Sequence, residues 1–213
     1  MIVVVGGIKG GSGKTTIATN LAVMRSLGGS DVLLIDADDQ ETASDFTILR
    51  NERLAVEATY TSIKLTGQAV RTETLRLVDK YAEIIIDTGG RDTTSQRAAL
   101  TVADVLLVPF APRSFDVWTL EKVAELVVDM RAANPGLRAY VFINRADPSG
   151  RDNDEAAEVL RGTDGLEFIS TPIGTRKAFG NAAAQGLAVG ELRPQDSKAV
   201  QEIEVLYRYL YDI

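Results

Sequence analysis

An α/β fold with a mostly parallel, twisted sheet and helices on both faces follows from three observations. Short apolar runs recur along the chain, at Ile2–Val5, Val32–Ile35, Ile84–Ile86 and Val105–Val108. They do not alternate with polar residues, as strands covered on both faces require. Stretches of helical periodicity lie between them, and strand–helix alternation places successive strands parallel, linked by crossover helices. Glycine-rich or acidic residues follow several of these runs, and ligands of such sheets bind beyond the C-terminal ends of the strands.

Each element has its own warrant. Ile2–Val5 is the first strand, and the helix after it carries Ile17, Leu21 and Met24 on one face, with Ala18 and Ala22 beside them, and stops near Gly28-Gly29. Asp31–Asp36 is the second strand. A short helix is expected near Gln40–Leu49, a strand near Leu54–Tyr60, and a helix over Gln68–Lys80 with Val70, Leu75, Leu77 and Val78 as its apolar residues. Glu83–Asp87 and Asp104–Pro109 are strands, the second closed by its proline. Residues 116–133 form a helix, because Leu120, Val123, Ala124, Val127 and Met130 make one stripe, and Asn134-Pro135-Gly136 ends it. A strand over Leu137–Asn144, a helix over Asp152–Arg161, a short strand near Leu166–Ile169 and a helix near Thr175–Ala184 follow. The last helix, from about Asp196 to Tyr211, turns Val200, Ile203, Tyr207 and Leu210 inward. With no repeat or linker in view, residues 1–213 are expected to form a single domain.

Composition narrows the chemistry. With no cysteine and no histidine, disulfides, cysteine-held clusters and histidine bases or ligands are excluded, so hydrolysis must rest on carboxylates, lysines and a bound metal. A net charge of −7 rules out a uniformly basic surface but leaves room for a local patch. No apolar run reaches the length of a membrane span, and the start shows neither a basic n-region nor a cleavage site, so a cytoplasmic location is expected.

Four stretches carry the function. The first is Val5-Gly6-Gly7-Ile8-Lys9-Gly10-Gly11-Ser12-Gly13-Lys14-Thr15-Thr16, a strand, a glycine-rich turn and a helix start. Backbone N–H groups in such a turn wrap phosphate oxygens, and the helix N-terminus adds positive potential. Lys14 would meet the β/γ-phosphates and Thr15 would ligate Mg²⁺. The usual G-x-x-x-x-G-K-[ST] spacing fails, since Ile8 holds the first glycine position and a second lysine, Lys9, heads the loop. The second stretch is Asp36-Ala37-Asp38-Asp39-Gln40, at a strand end. The third is Ile84-Ile85-Ile86-Asp87-Thr88-Gly89-Gly90, an apolar strand ending in a carboxylate and two glycines, which permit unusual φ/ψ. The fourth is Val141-Phe142-Ile143-Asn144-Arg145.

Together these resemble the ParA/MinD family of dimerising ATPases, whose loop is the two-lysine "deviant" Walker A motif on a P-loop NTPase fold. The resemblance covers nearly the whole chain, although only the motifs are specific. It implies ATP and Mg²⁺ as ligands, with Gly10, Gly11, Ser12, Gly13, Lys14, Thr15 and Thr16 around the phosphates. Asp38 would position the attacking water, Asp36 would support the metal's water shell and Asp87 would hold the metal through water or Thr15. The second stretch matches the family's D-x-D-P-Q with Asp39 in place of the proline, and Gly89-Gly90 replaces the frequent D-x-P-P. Asn144, with Arg145 beside it, would recognise adenine, and Thr171-Pro172-Ile173 resembles the loop that closes over the base. Lys9 would cross a dimer interface to the partner's phosphates, so that two chains sandwich two ATP molecules.

The chain's size and C-terminal layout look like the small ParA (ParF-like) plasmid-segregating proteins. That resemblance implies non-specific DNA binding as an ATP dimer, nucleoid association and a centromere-binding partner that stimulates hydrolysis. Arg176-Lys177, Arg193, Lys198 and Arg208 are the candidate DNA contacts, although acidic residues outnumber basic ones beyond Arg138. A positioning ATPase with an adaptor on a protein cargo, such as a carboxysome or chemosensory cluster, would share every motif. A MinD-like membrane role fits less well, because the amphipathic C-terminal helix is not basic. A dethiobiotin synthetase-type enzyme is argued against by Lys9 and the Asp36/Asp38 pair, and relatives of the nitrogenase iron protein need cysteines. Phe115, Asp116 and Trp118 are candidates for a partner contact.

Overall fold

The computed structural model describes residues 1–54, 60–112, 117–149 and 151–211. Its seven strands are β1 (Ile2–Val5), β2 (Val32–Ala37), β3 (Thr61–Lys64), β4 (Glu83–Thr88), β5 (Val105–Phe110), β6 (Arg138–Ala146) and β7 (Glu167–Gly174). All pair in parallel in one sheet of order β3-β2-β4-β1-β5-β6-β7. Eight helices are described: α1 (Lys14–Leu27), α2 (Thr42–Leu54), α3 (Ala69–Leu77), α4 (Thr94–Leu100), α5 (Val117–Ala133), α6 (Asp152–Arg161), α7 (Lys177–Ala183) and α8 (Ser197–Tyr211).

Side chains of one strand alternate between two cores, as the strand pleat demands. Val3 and Val5 face a core with α1, α2, α7 and α8, where Ile17, Phe46, Phe179 and Ile203 pack. Ile2 and Val4 face the other, built with α3 to α6 through Val70, Leu100, Val123 and Leu160. Because β1 and β2 both pair with β4 in parallel, the C-terminal ends of the three strands stand side by side: Val5 is in register with Asp87, and Asp87 with Asp36.

Several boundaries differ from the sequence expectation. The strand expected near Leu54–Tyr60 falls largely on residues 55–59, outside the described residues, and β3 begins at Thr61. Phe115 and Asp116 also lie outside them. Helix α4 was hidden in the sequence, where Ser95, Gln96, Ala98 and Ala99 give no apolar stripe, yet all four are buried. Strand β5 runs one residue past Pro109, because β1 pairs with it only as far as Leu107 and no further ladder bond is needed on that side. On α3, Leu75 points outward at 47% exposure, while Val70 and Thr74 are buried. The segment Thr171-Pro172-Ile173 is part of strand β7 rather than a loop, and Ile173 is a core residue in register with Asn144. The departure is local: the β6–β7 register slips between Phe142 and Asn144, and again between Asn144 and Ala146, so both strands bulge there.

Candidate functional site

Two adjoining cavities open over the C-terminal ends of β1, β2, β4 and β6. The larger measures about 760 Å³ and is lined by Gly10, Gly11 and Gly13 to Thr16, by Asp38, and by Gly89 to Arg91. The smaller, about 270 Å³, is lined by Ile17, Asn144, Ile173, Phe179 and the 174–177 turn. Gly13, Thr16 and Arg145 line both, so one elongated ligand could run from a polar chamber into a more apolar one. The larger volume falls in the range of small-molecule sites.

The loop is shaped by the backbone. Gly13 caps α1 at φ 93°, with no side-chain hydrogen bond to the helix, so the N–H groups of the first turn face the large cavity without a capping side chain. A Cβ at Gly13 would lie 2.3 Å from Asn144 Nδ2. Lys14 is buried, and its Nζ donates to the Lys9 carbonyl at 2.8 Å. Burial lowers its pKa, against the opposing pull of Asp87 and Asp38. Lys9 itself does not line the large cavity. It faces a small gap between the loop, β5 and α5.

The three carboxylates differ in what holds them. Asp36 is fully buried and already engaged: Oδ1 accepts from the Asp38 N–H at 3.2 Å, and Oδ2 accepts from both the N–H and the hydroxyl of Ser44 at 2.8 Å. It therefore pins the 38–44 turn and the first turn of α2. Asp38 is half-buried and accepts from the Gln40 N–H. Asp87 is fully buried, and neither of its oxygens has a hydrogen-bond partner among the described residues. Burial pushes its pKa up to about 7, and Asp36 and Asp38 push the same way. The Thr15 hydroxyl and the Lys14 ammonium pull it down, the hydroxyl from outside hydrogen-bonding geometry.

Gly89-Gly90 differs from expectation in its reason. Neither residue has a positive φ, whereas Gly7, Gly11 and Gly13 do. What excludes a side chain is proximity: a Cβ at Gly90 would lie 2.6 Å from both N and Cα of Gly10, and one at Gly89 would lie 3.0 Å from Asp38 Oδ1. The segment after β4 thus rests directly on the phosphate loop.

Asn144 donates from Nδ2 to the Ser12 carbonyl at 2.6 Å, tying β6 to the loop, while it also lines the small cavity. Arg145 takes φ 56°, unusual for a non-glycine residue, and its carbonyl accepts from the Thr175 hydroxyl. The bulge turns its side chain toward both cavities. Of the 171–173 segment, Ile173 reaches the small cavity and Thr171 and Pro172 do not line it. Ser44, Thr88 and Gln96 were not legible as site residues, since nothing in the sequence marks a serine or glutamine as the partner of a motif residue.

A sequence model described as the CobQ/CobB/MinD/ParA nucleotide binding domain matches residues 3–189. The chain belongs to that family. Within the CobQ/CobB/MinD/ParA family it is similar to the Maintenance of carboxysome distribution protein A of Gloeobacter kilaueensis, 33% identical over 94% of this chain and 87% of that protein. Among solved structures, a plasmid partition protein of Borrelia burgdorferi bound to AMPPNP superposes with a TM-score of 0.78 at 22% identity, covering 100% of this chain and 99% of that one. A variant of Cyanothece McdA in complex with ATP gives 0.80 at 20% identity, over 100% of this chain and 96% of the other. The expected parallel α/β fold of the ParA/MinD type is thereby shown.

The residues present also fit a nucleotide and a divalent cation. A buried carboxylate with no donor, next to a helix N-terminus threonine, is stabilised by a cation and otherwise costs folding energy. No cluster of three or more acidic ligands occurs among the described residues. One buried carboxylate beside a threonine hydroxyl suits Mg²⁺, which takes one or two protein ligands and completes its shell with water and substrate phosphates.

Proposed function

We propose that this chain is a Mg²⁺-dependent ATPase that dimerises on ATP and uses that switch to move a cargo over DNA. The observation that carries the proposal is Asp87, buried without a hydrogen-bond partner among the described residues, beside Lys14 and Thr15, which line the large cavity. In this reading the N–H groups of Gly10 to Thr16 and the Lys14 ammonium hold the phosphates, and Lys14 gives up the Lys9 carbonyl to do so. Thr15 and Asp87 hold the metal, with Asp36 fixing the turn that carries Asp38. Bound Mg²⁺ would neutralise phosphate charge, as it does generally in phosphoryl transfer. Asp38 orients the attacking water, and its packing on Gly89 sets its reach. Asn144, Arg145 and the Ile173 region form the base end.

Lys9 acts in trans in this reading. Lys9 does not line its own chain's large cavity, and its carbonyl accepts from Lys14, which supports action on a partner's nucleotide. ATP-dependent dimers would be separated from ADP-state monomers by light scattering. Random duplex DNA would bind the ATP state alone, with affinity falling steeply as salt rises. Lys9→Ala would abolish the dimer. Equal DNA binding without nucleotide, or an unchanged Lys9→Ala dimer, would refute the reading.

The candidate DNA contacts differ in how far they are engaged within the chain. Arg176 is held bidentately by Glu202 at 2.8 and 2.5 Å; Arg193 is exposed but donates to the Gly190 and Leu192 carbonyls, and Lys177, Lys198 and Arg208 are exposed. Two cargoes suit the engine. Likeness to plasmid partition proteins supports segregation of plasmid or chromosomal DNA through a centromere-binding partner. Identity of 33% with a carboxysome distribution protein favours the second reading, a protein assembly carried through an adaptor. A membrane role is not supported: α8 buries Ile203, Leu206 and Leu210, and no helix among the described residues is long and apolar enough to cross a membrane. Trp118, 74% exposed on α5, stays a candidate for the adaptor contact.

A further inference from the structure

The hydrogen-bonded end of β1 is closed by a side chain. Gly6 N–H still donates to the Leu107 carbonyl at 3.1 Å, continuing the ladder with β5. One residue later the chain leaves the sheet, and Gly7, at φ 142°, donates instead to Oε1 of Gln96 at 2.9 Å. The same oxygen is the nearer acceptor of the Thr88 hydroxyl, at 3.0 Å against 3.3 Å for the Val5 carbonyl. A backbone N–H can only donate, so the amide oxygen must be the atom that faces Gly7. Gln96 is fully buried, and its Nε2 has no partner among the described residues. A Cβ at Gly6 would sit 3.0 Å from Oε1, so the strand end is shaped to admit this carboxamide.

The arrangement is costly for a purely structural residue. A buried amide donor left unpaired costs folding energy, whereas an apolar side chain of the same size would fill the space without that cost. What glutamine adds is a link between three segments. Gly7 opens the phosphate loop two residues before Lys9. Thr88 ends β4 one residue after Asp87. Gln96 lies on α4, the helix into which the Gly89–Thr93 segment runs, and Gly90 of that segment rests on Gly10.

We propose that Gln96 is a positioning residue that couples the segment after β4 to the entrance of the phosphate loop. The proposal rests on the ATPase reading above. A shift of residues 89–93 in response to the nucleotide is carried by α4 to the Gln96 carboxamide. From there it passes to the Gly7–Lys9 backbone, and so to Lys9. The phosphate-binding N–H groups of residues 10–16 do not depend on this link, so nucleotide affinity and turnover should separate.

The test uses Gln96→Met, which keeps length and apolar volume and removes the acceptor, in the full chain. The expected result is a turnover number lowered about tenfold or more with KM for ATP within about twofold. Amide exchange followed by NMR adds a readout independent of catalysis: the Gly7 N–H exchanges at least about tenfold faster in the variant. With Mg²⁺ and AMPPNP against ADP, the extra protection that wild type gains over residues 94–100 is lost. Unchanged turnover, or a raised KM with unchanged turnover, overturns the coupling. Should Gln96→Met not fold, Thr88→Val removes one donor to the same oxygen and must lower turnover without altering KM; normal turnover would again overturn it. A wild type that neither binds AMPPNP nor hydrolyses ATP defeats the ATPase reading separately. In that case Gly7 exchange in the free proteins decides the link, and equal rates refute it.

Discussion

Replacing Glu83 by glutamine should make the chain more stable, increasingly so as pH rises. Glu83 opens β4 at the end away from the cavities and is 1% exposed. The Met1 amino group lies 3.9 Å from its carboxylate and Arg25 3.7 Å, and the Tyr211 hydroxyl donates to it at 3.0 Å. Burial outweighs these partners, and with Asp104 adding repulsion the pKa rises from 4.5 to about 7. The native state therefore holds this proton more tightly than the unfolded chain. The resulting penalty is absent below pH 4.5, grows through the interval and is complete above about pH 7. At about 1.4 kcal/mol per pH unit, ionised Glu83 costs the native state roughly 3 kcal/mol at the alkaline end. Glutamine cannot ionise and keeps an acceptor for Tyr211. From about pH 5.5 to 8.5 the advantage of Glu83→Gln should grow by roughly 2 kcal/mol, or about 4–8 °C in melting temperature for a domain of this size. Thermal melts of both proteins at the two pH values measure it directly. A melting-temperature difference that stays constant across that range would refute the burial argument.

Three further perturbations probe the site. Gly90→Ala must push the 89–91 segment off Gly10, so turnover should fall by more than about tenfold with a stability loss of about 1–3 kcal/mol, read from ATPase rates and urea melts. Asp87→Asn should raise the melting temperature of the nucleotide-free chain at pH 8, because the folded pKa of Asp87 lies above its ordinary value, and should eliminate Mg²⁺-dependent turnover. Its stability gain should vanish toward pH 4. Ser44→Ala removes one of three donors to Asp36 and should cost about 1–2 kcal/mol in a denaturant titration.

What the sequence discloses is set by whether a residue's partners are local. Strands β1, β2, β4 and β5 are apolar runs buried on both faces, and their positions were legible to within a residue or two. The loop, Asp36, Asp38 and Asp87 were legible because each adjoins such a run, and the sheet then brings them together. Helix α4 was not, because it is short and packs alanine, serine and glutamine in place of a stripe. Thr171–Ile173 reads as a loop through the family resemblance, yet the β6–β7 bulges accommodate it as strand. The need for glycine at 90 reads as backbone freedom, but its cause is a contact with Gly10, eighty residues away, that no local pattern carries.

The two ends of β4 show why burial alone does not mark a carboxylate as a candidate site residue. Glu83 and Asp87 are both pushed to about 7 by burial in the same strand. Glu83 nevertheless has two cations and a hydroxyl around it, which is how a protein accommodates a structural buried charge. Asp87 has no such completion: among the described residues its oxygens accept no hydrogen bond, one of its two strand neighbours is another carboxylate, and of the chain's cations only Lys14 pulls on it. The polarity of the parallel sheet makes that difference. It gathers Asp36 and Asp87 with the phosphate loop at one end, and leaves Glu83 at the other, where Arg25 of α1 and Tyr211 of α8 close over it.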